Sequence, residues 1–175
     1  YSASARTLVI AYASGNIDLM TSDGIYNLPF LKNTTNIQDK TLNAIDLSGD
    51  RAYLSANFGI LVIDLKKREV AETYRLDRRT TATALLAGSI YAATDSGLLS
   101  APTTANLMDV GNWKRVSLNS LDFDDQKIVG LGAFRDRLCF VASGGGLFYR
   151  DTDSSIKTLR KQTNLRGLTV VGNRL

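Results

Sequence analysis

Tyr53-Leu54-Ser55-Ala56-Asn57-Phe58-Gly59 returns as Tyr91-Ala92-Ala93-Thr94-Asp95-Ser96-Gly97 and as Phe140-Val141-Ala142-Ser143-Gly144-Gly145-Gly146. A weaker copy is Val9-Ile10-Ala11-Tyr12-Ala13-Ser14-Gly15. The closing glycines stand 44, 38 and 49 residues apart, a period that suits propeller blades and is too long for a leucine-rich repeat. Each copy has one grammar: an apolar strand, a turn, a strand with an aromatic and small residues, a polar turn closed by Gly, and a third strand. A turn between antiparallel strands often needs φ > 0, which Gly adopts without strain, so the marker glycines have a physical reason.

Working outward, the second unit is the clearest. Ala44–Ser48, Ala52–Ala56, Ile60–Leu65 and Glu69–Tyr74 read as strands, with Lys66-Lys67-Arg68 as a charged turn and half-buried alternation in the last strand. The third unit follows as Ala84–Ala87, Ile90–Thr94, Leu98–Ala101 and Trp113–Val116, the fourth as Ile128–Ala133, Leu138–Ala142, Leu147–Arg150 and Ile156–Leu159. No segment sustains a helical period, and Ser100–Asn112 holds a short turn at most. Small residues such as Ser55, Ala56, Ala92, Ala93 and Ala142 suit twisted sheets packed face to face around a crowded axis. The expected fold is all-β: a β-propeller fragment of about four blades, each a four-stranded antiparallel meander, within a larger propeller of about seven blades. Blades are expected at residues 1–39 (incomplete), 40–79, 80–122 and 123–164, with the next starting at 165–175.

Both ends read as cuts within a larger protein. The first unit shows Thr7–Ala13, Ile17–Met20 and Ile25–Leu28 but no complete strand before Thr7, with Tyr1-Ser2 as the remnant of one. Leu168–Val171 reads as a first strand with no blade behind it. Such unpaired strands invite closure of the ring or self-association between copies.

Composition narrows the chemistry. The 175 residues are 44% apolar and 22% charged, with mean hydropathy -0.07, as in a globular chain rather than a disordered one. The longest apolar runs fall far short of the ~20 residues that span a bilayer as a helix, so membrane association is expected only through partners. There is no histidine, which removes the usual general base, the commonest metal ligand and the pH switch. The single cysteine, Cys139, reads as a small buried strand residue, without an intramolecular disulfide or thiolate zinc site. The net charge of +4 sits mainly in Lys66-Lys67-Arg68, Arg75, Arg78-Arg79 and the stretch from Arg160-Lys161 to Arg174. No nucleic-acid motif accompanies it, and solvated strand edges account for it.

Candidate motifs each have a bland reading. Ser143-Gly144-Gly145-Gly146 lacks the Lys-Ser/Thr and the helix of a P-loop and sits at the repeat's turn. Gly130-Leu131-Gly132 lacks the third glycine and the βαβ context of a dinucleotide fingerprint. The acidic groups Asp122, Asp124, Asp125 and Asp151-Thr152-Asp153 have no glycine-bearing calcium loop. Only two glutamates exist, Glu69 and Glu72, on an expected outer strand and poorly placed as a glycosidase pair. Asn33-Thr34-Thr35 matches the three-residue glycosylation pattern. No catalytic, cofactor-binding or metal-binding residue is assigned, and no cofactor is expected.

Units of the form strand, turn, aromatic-x-x-[Ala/Ser/Thr]-x-x-Gly-[Ile/Leu] resemble the propeller repeats of periplasmic sensors in hybrid two-component systems. Beyond that, the run Thr7–Leu19, then Tyr26-Asn27-Leu28-Pro29, Arg51–Ser55, Phe58-Gly59-Ile60 and Glu72-Thr73-Tyr74, is similar to the N-terminal propeller of the PorZ family of type IX secretion components. The similarity runs over about residues 7 to 100 and continues more loosely beyond. The sensors usually carry Trp where this chain has Tyr53, Tyr91 or Phe140, which favours the secretion family. The resemblance implies a two-propeller surface protein, outer-membrane associated, working beside a sortase-like protease and linked to anionic lipopolysaccharide. The expectation is a non-enzymatic, extracytoplasmic scaffold binding proteins of a secretion and attachment complex or anionic lipopolysaccharide, and no nucleic acid. The alternative is a periplasmic ligand-sensing propeller of a hybrid two-component histidine kinase.

Overall fold

The computed structural model describes residues 1–118, 127–151, 153–161 and 164–170, which fall into two compact units, Tyr1–Thr80 and Thr81–Leu175. The first holds two sheets. Strands β1 (Leu8–Ala11), β2 (Ile17–Thr21) and β3 (Gly24–Leu28) form sheet 1, and β4 (Leu42–Ser48), β5 (Arg51–Ala56), β6 (Gly59–Asp64) and β7 (Glu69–Arg75) form sheet 2. Sheet 3 comprises β8 (Thr80–Leu86), β9 (Ser89–Thr94), β10 (Gly97–Pro102) and β11 (Lys114–Arg115). Sheet 4 comprises β12 (Ile128–Phe134), β13 (Arg137–Ala142), β14 (Leu147–Arg150) and β15 (Ile156–Arg160). Every sheet is an antiparallel meander in chain order, as expected for a partial β-propeller.

Burial explains the sequence patterns. In sheet 2, Ala52, Leu54, Ala56, Leu61 and Ile63 meet Val9, Ile17, Leu19, Leu31 and Ile37 in one core. Their neighbours Tyr53, Ser55, Ile60 and Val62 point to the opposite face and are buried too, so β5 and β6 show unbroken apolar runs instead of alternation. Strand β7 lies at the sheet edge and alternates. In the second unit, Ala82, Ala84, Ala93 and Leu98 pack with Leu131, Leu138, Phe140 and Phe148, whose rings stack at 5.7 Å.

The repeat glycine shows its reason at Gly59. Its φ is +137°, and a Cβ there would land on the Tyr74 carbonyl and 2.8 Å from the Leu76 nitrogen. Position 59 therefore serves both a turn and a close backbone approach.

Three features differ from expectation. A short helix, α1 (Phe30–Asn33), follows β3 and buries Leu31, where no helix was expected. Strand β11 holds only Lys114–Arg115 rather than Trp113–Val116: the Trp113 backbone N–H closes the preceding turn on the Val110 carbonyl at 3.1 Å, and its indole donates to the Leu107 carbonyl at 3.0 Å. Before it, Val110–Asn112 makes one 3-10 turn, in keeping with the short turn at most that Ser100–Asn112 was expected to hold. The strand expected at Leu168–Val171 forms no ladder over residues 168–170, and Val171 lies outside the described residues. Those residues lie broadside on β12: a Cβ at Gly130 would sit 2.6 Å from the Leu168 nitrogen, and one at Gly132 would sit 2.9 Å from Val170 Cγ2.

At the other end, Ser2 forms one isolated antiparallel bridge with Thr7 and no strand. Ser2 and Thr7 exchange both backbone hydrogen bonds, Ser2 N to Thr7 O at 2.8 Å and Thr7 N to Ser2 O at 3.1 Å. That pair stands where Ser48 and Arg51 close the β4–β5 hairpin.

Candidate functional site

The first unit holds a cleft of about 370 Å³ lined by Ala11, Tyr12 and Ala13 at the end of β1 and by Thr41–Ile45 at the start of β4. Asn43 braces it, donating from Nδ2 to Asn57 Oδ1 at 2.9 Å and to the Thr80 carbonyl at 2.8 Å. At its rim, the Tyr12 phenol donates to Asp18 at 2.8 Å, while Asn27 donates to Asp18 at 2.6 Å and to Asn16 at 2.9 Å. These bonds, Asn27 first, hold the Asp18 carboxyl below its ordinary range, and its acceptance raises the Tyr12 phenol.

The basic turn of the sequence is largely neutralised. Lys66 pairs with Asp50 at 2.6 Å, Lys67 approaches Glu69 at 3.9 Å, and Arg68 reaches Asp23 at 3.6 Å. Arg68 also lies over the Tyr26 ring, 3.6 Å from its centroid, clamping the β6–β7 turn onto β3. Arg75 donates to the Asn36 carbonyl at 2.8 Å. Arg78 and Arg79 are exposed.

The carboxylates singled out in the sequence are held apart by structural partners. Glu72 accepts from Arg51 at 3.2 Å and from the Tyr74 phenol at 2.6 Å, and burial followed by that bond drives the phenol pKa up. Asp151 accepts from Lys157 at 2.8 Å and Arg137 at 3.4 Å, and Asp153 from the Ser155 backbone at 2.8 Å. Thr152 and the Asp122, Asp124, Asp125 group lie outside the described residues. Among the described residues, no group of three or more His, Cys, Asp or Glu is gathered. Gly145 and Gly146 form the β13–β14 turn with φ of +95° and +101°. Cys139 is buried on β13, and burial raises its thiol pKa, which disfavours the reactive thiolate.

Two features were missed in the sequence. Asp46, half-buried on β4 opposite Tyr53, has its carboxyl pushed up to about 6 by burial, against a small lowering from the Leu47 amide. Only its placement on a packed strand reveals this. The other is the loop between β10 and β11. Trp113 bonds Leu107, Asn112 Nδ2 donates to the Asn106 carbonyl at 2.9 Å, and Asp109 accepts from Gly111 N at 2.8 Å. This internal bonding leaves Met108 and Val110 61% and 53% exposed. The signal was Leu107-Met108-Asp109-Val110, an apolar run in an otherwise polar link.

The family model described as the type IX secretion (TSS9) PorZ N-terminal β-propeller domain matches residues 1–114. The chain belongs to the PorZ N-terminal β-propeller family. Among solved structures, PorZ of Porphyromonas gingivalis, an essential bacterial surface component of its type IX secretion system, superposes with a TM-score of 0.84 at 31% identity. That match covers 93% of this chain and 22% of the other, so the chain spans about a fifth of that relative's length. BamB from Moraxella catarrhalis shares the fold at TM-score 0.61 and 14% identity, over 97% of this chain and 52% of that one. The extracellular domain of a putative one-component system from B. thetaiotaomicron does so at 0.56 and 10%, over 94% and 23%. At such identities the likeness is of fold alone. No curated protein matches the chain.

Proposed function

We propose that the parent of this PorZ-type domain is a non-enzymatic, extracytoplasmic interaction scaffold of a type IX secretion and attachment complex, binding partner proteins or anionic lipopolysaccharide at the cell surface. The family match over residues 1–114 carries the reading. On the described surface, the outward-pointing Met108 and Val110 of the internally bonded β10–β11 loop offer apolar area to a partner. For an anionic glycan, the exposed Arg78 and Arg79 and the Lys66-Lys67-Arg68 turn are the basic stretches to probe.

The test is co-purification of the tagged parent with secretion components from cross-linked host cells, alongside binding to purified lipopolysaccharide over a salt series. Association with the complex, and glycan binding that weakens with salt and on reversing Arg78 and Arg79 to Glu, is expected. A parent that purifies without any secretion component and ignores lipopolysaccharide at low salt contradicts the reading.

A further inference from the structure

The sheets repeat one meander, but the connection between the last two strands of each differs in length. It is residues 22–23 in sheet 1, 65–68 in sheet 2 and 151–155 in sheet 4, against 103–113 in sheet 3. The ends of that longer loop are held together by the Ser100–Lys114 pairing of β10 and β11. Ordering such a loop costs conformational entropy, and compact surface loops packed by their own side chains are frequently functional. This one is fixed from within. Thr103 anchors its start, donating from N and from Oγ1 to the Gly88 carbonyl, each at 2.9 Å. The Asn106 carbonyl accepts from Asp109 N at 3.2 Å and from Asn112 Nδ2 at 2.9 Å, and Leu107 and Trp113 are buried.

Met108 and Val110, both more than half exposed, stand on either side of Asp109. Asp109 Oδ1 accepts from Gly111 N at 2.8 Å, and Lys114 Nζ donates to the Gly111 carbonyl at 2.7 Å, which sets an ammonium beside the apolar pair. An ammonium carries several N–H donors, so Lys114 can meet a carboxylate as well. Seating both apolar side chains in a bilayer would carry the Asp109 carboxylate towards hydrocarbon, at a high cost. A protein socket avoids that cost, because its apolar walls can cover Met108 and Val110 while its N–H groups meet Asp109.

We propose that the β10–β11 loop is a preformed docking knob for a folded protein partner, whose surface offers an apolar socket to Met108 and Val110 and a carboxylate to Lys114; this rests on the scaffold reading above. Because the loop is already ordered, docking loses little conformational freedom. The unbranched Met108 adapts to the shape of the socket, and the Lys114 charge fixes the orientation of the partner.

Quantitative co-purification of the tagged full-length parent from cross-linked host cells tests this. Met108→Asp together with Val110→Asp is expected to lower recovery of one secretion component by about 10-fold or more. Lys114→Glu is expected to lower it roughly threefold, with Lys114→Arg close to wild type. The altered side chains are exposed, so the melting curves of the variants should overlay the wild-type curve. A photoreactive side chain at position 108 is expected to cross-link to that same component, at apolar residues flanked by Asp or Glu, whereas one at position 22, in the equivalent connection of sheet 1, is not. Equal recovery by the wild type and the doubly acidic variant overturns the proposal and leaves the scaffold reading standing. A wild-type parent that retains no secretion component removes both. Binding to phosphatidylethanolamine–phosphatidylglycerol vesicles that the doubly acidic variant loses, with co-purification unchanged, assigns the loop to lipid and overturns the proposal.

Discussion

Sheets 1 and 2 share a core and a hairpin grammar, yet they are stabilised differently. In sheet 2 the two middle strands are buried on both faces, and Leu54, Ile60, Leu61, Val62 and Ile63 have no exposed surface. Sheet 1 is buried on one face only: Ile17 and Leu19 reach the shared core, whereas Leu8, Met20 and Ile25 are exposed. The same contrast governs the acids. Asp46 of sheet 2 is desolvated and its carboxyl is pushed up to about 6, while the exposed Asp18 of sheet 1 is lowered by its hydrogen bonds. A repeat can therefore specify the backbone of two blades alike while neighbouring surfaces decide how much each depends on a given side chain.

The largest expected effect is at the repeat glycines. Gly59→Ala forces a Cβ onto the Tyr74 backbone at φ +137° and is expected to cost about 4 kcal/mol or to prevent folding. Gly15→Ala, at φ +80° with side-chain and backbone neighbours no closer than 3.4 Å, is expected to cost about 1 kcal/mol. Urea denaturation of the two variants checks this, and equal costs would break the distinction between the sheets.

A middle-sized effect belongs to Asp46. Its folded pKa of about 6 lies above the ordinary carboxylate value, so its contribution is fully present below pH ~4 and is lost as pH rises through about 6, by on the order of 1–3 kcal/mol. Asp18, Asp39, Asp50 and Asp153 are shifted down, so their contributions are lost at lower pH, as pH falls through the carboxylate range. Melting temperatures between pH 4 and 7 should decline from this group, and Asp46→Asn should flatten that part of the profile. An unchanged slope in the variant removes the buried-acid explanation.

The smallest effect is at the clamp between the sheets. Arg68→Ala loses the Tyr26 stacking and the Asp23 pair and is expected to cost between about 0.5 and 1 kcal/mol, since both are partly exposed. A double-mutant cycle with Tyr26→Leu isolates the stacking. Additive single effects would show that the sheets meet through their apolar core alone.

Much of this architecture was legible from local pattern. The second-unit strands came from the Tyr53–Gly59 repeat, the alternation of Glu69–Tyr74 and the charged turn between them, and each corresponds to a strand of sheet 2. Helix α1 was not legible because four residues after Pro29 are too few to display a helical period. The glycines at 130 and 132 carried a packing requirement that only the placement of Leu168 and Val170 reveals. The cleft was invisible for the same reason: Ala11–Ala13 and Thr41–Ile45 are distant in sequence, and nothing in either stretch names the other. The Asp46 shift depends on burial, which an Ala-Ile-Asp-Leu-Ser strand does not announce.

The functional reading meets its most direct test in the host. Deleting the parent gene and restoring it in trans is expected to release type IX cargo from the cell surface and then to recover its attachment. Normal cargo secretion and attachment in the deletion strain, with loss of a nutrient-induced transcriptional response, would contradict the account and identify the propeller as a sensor.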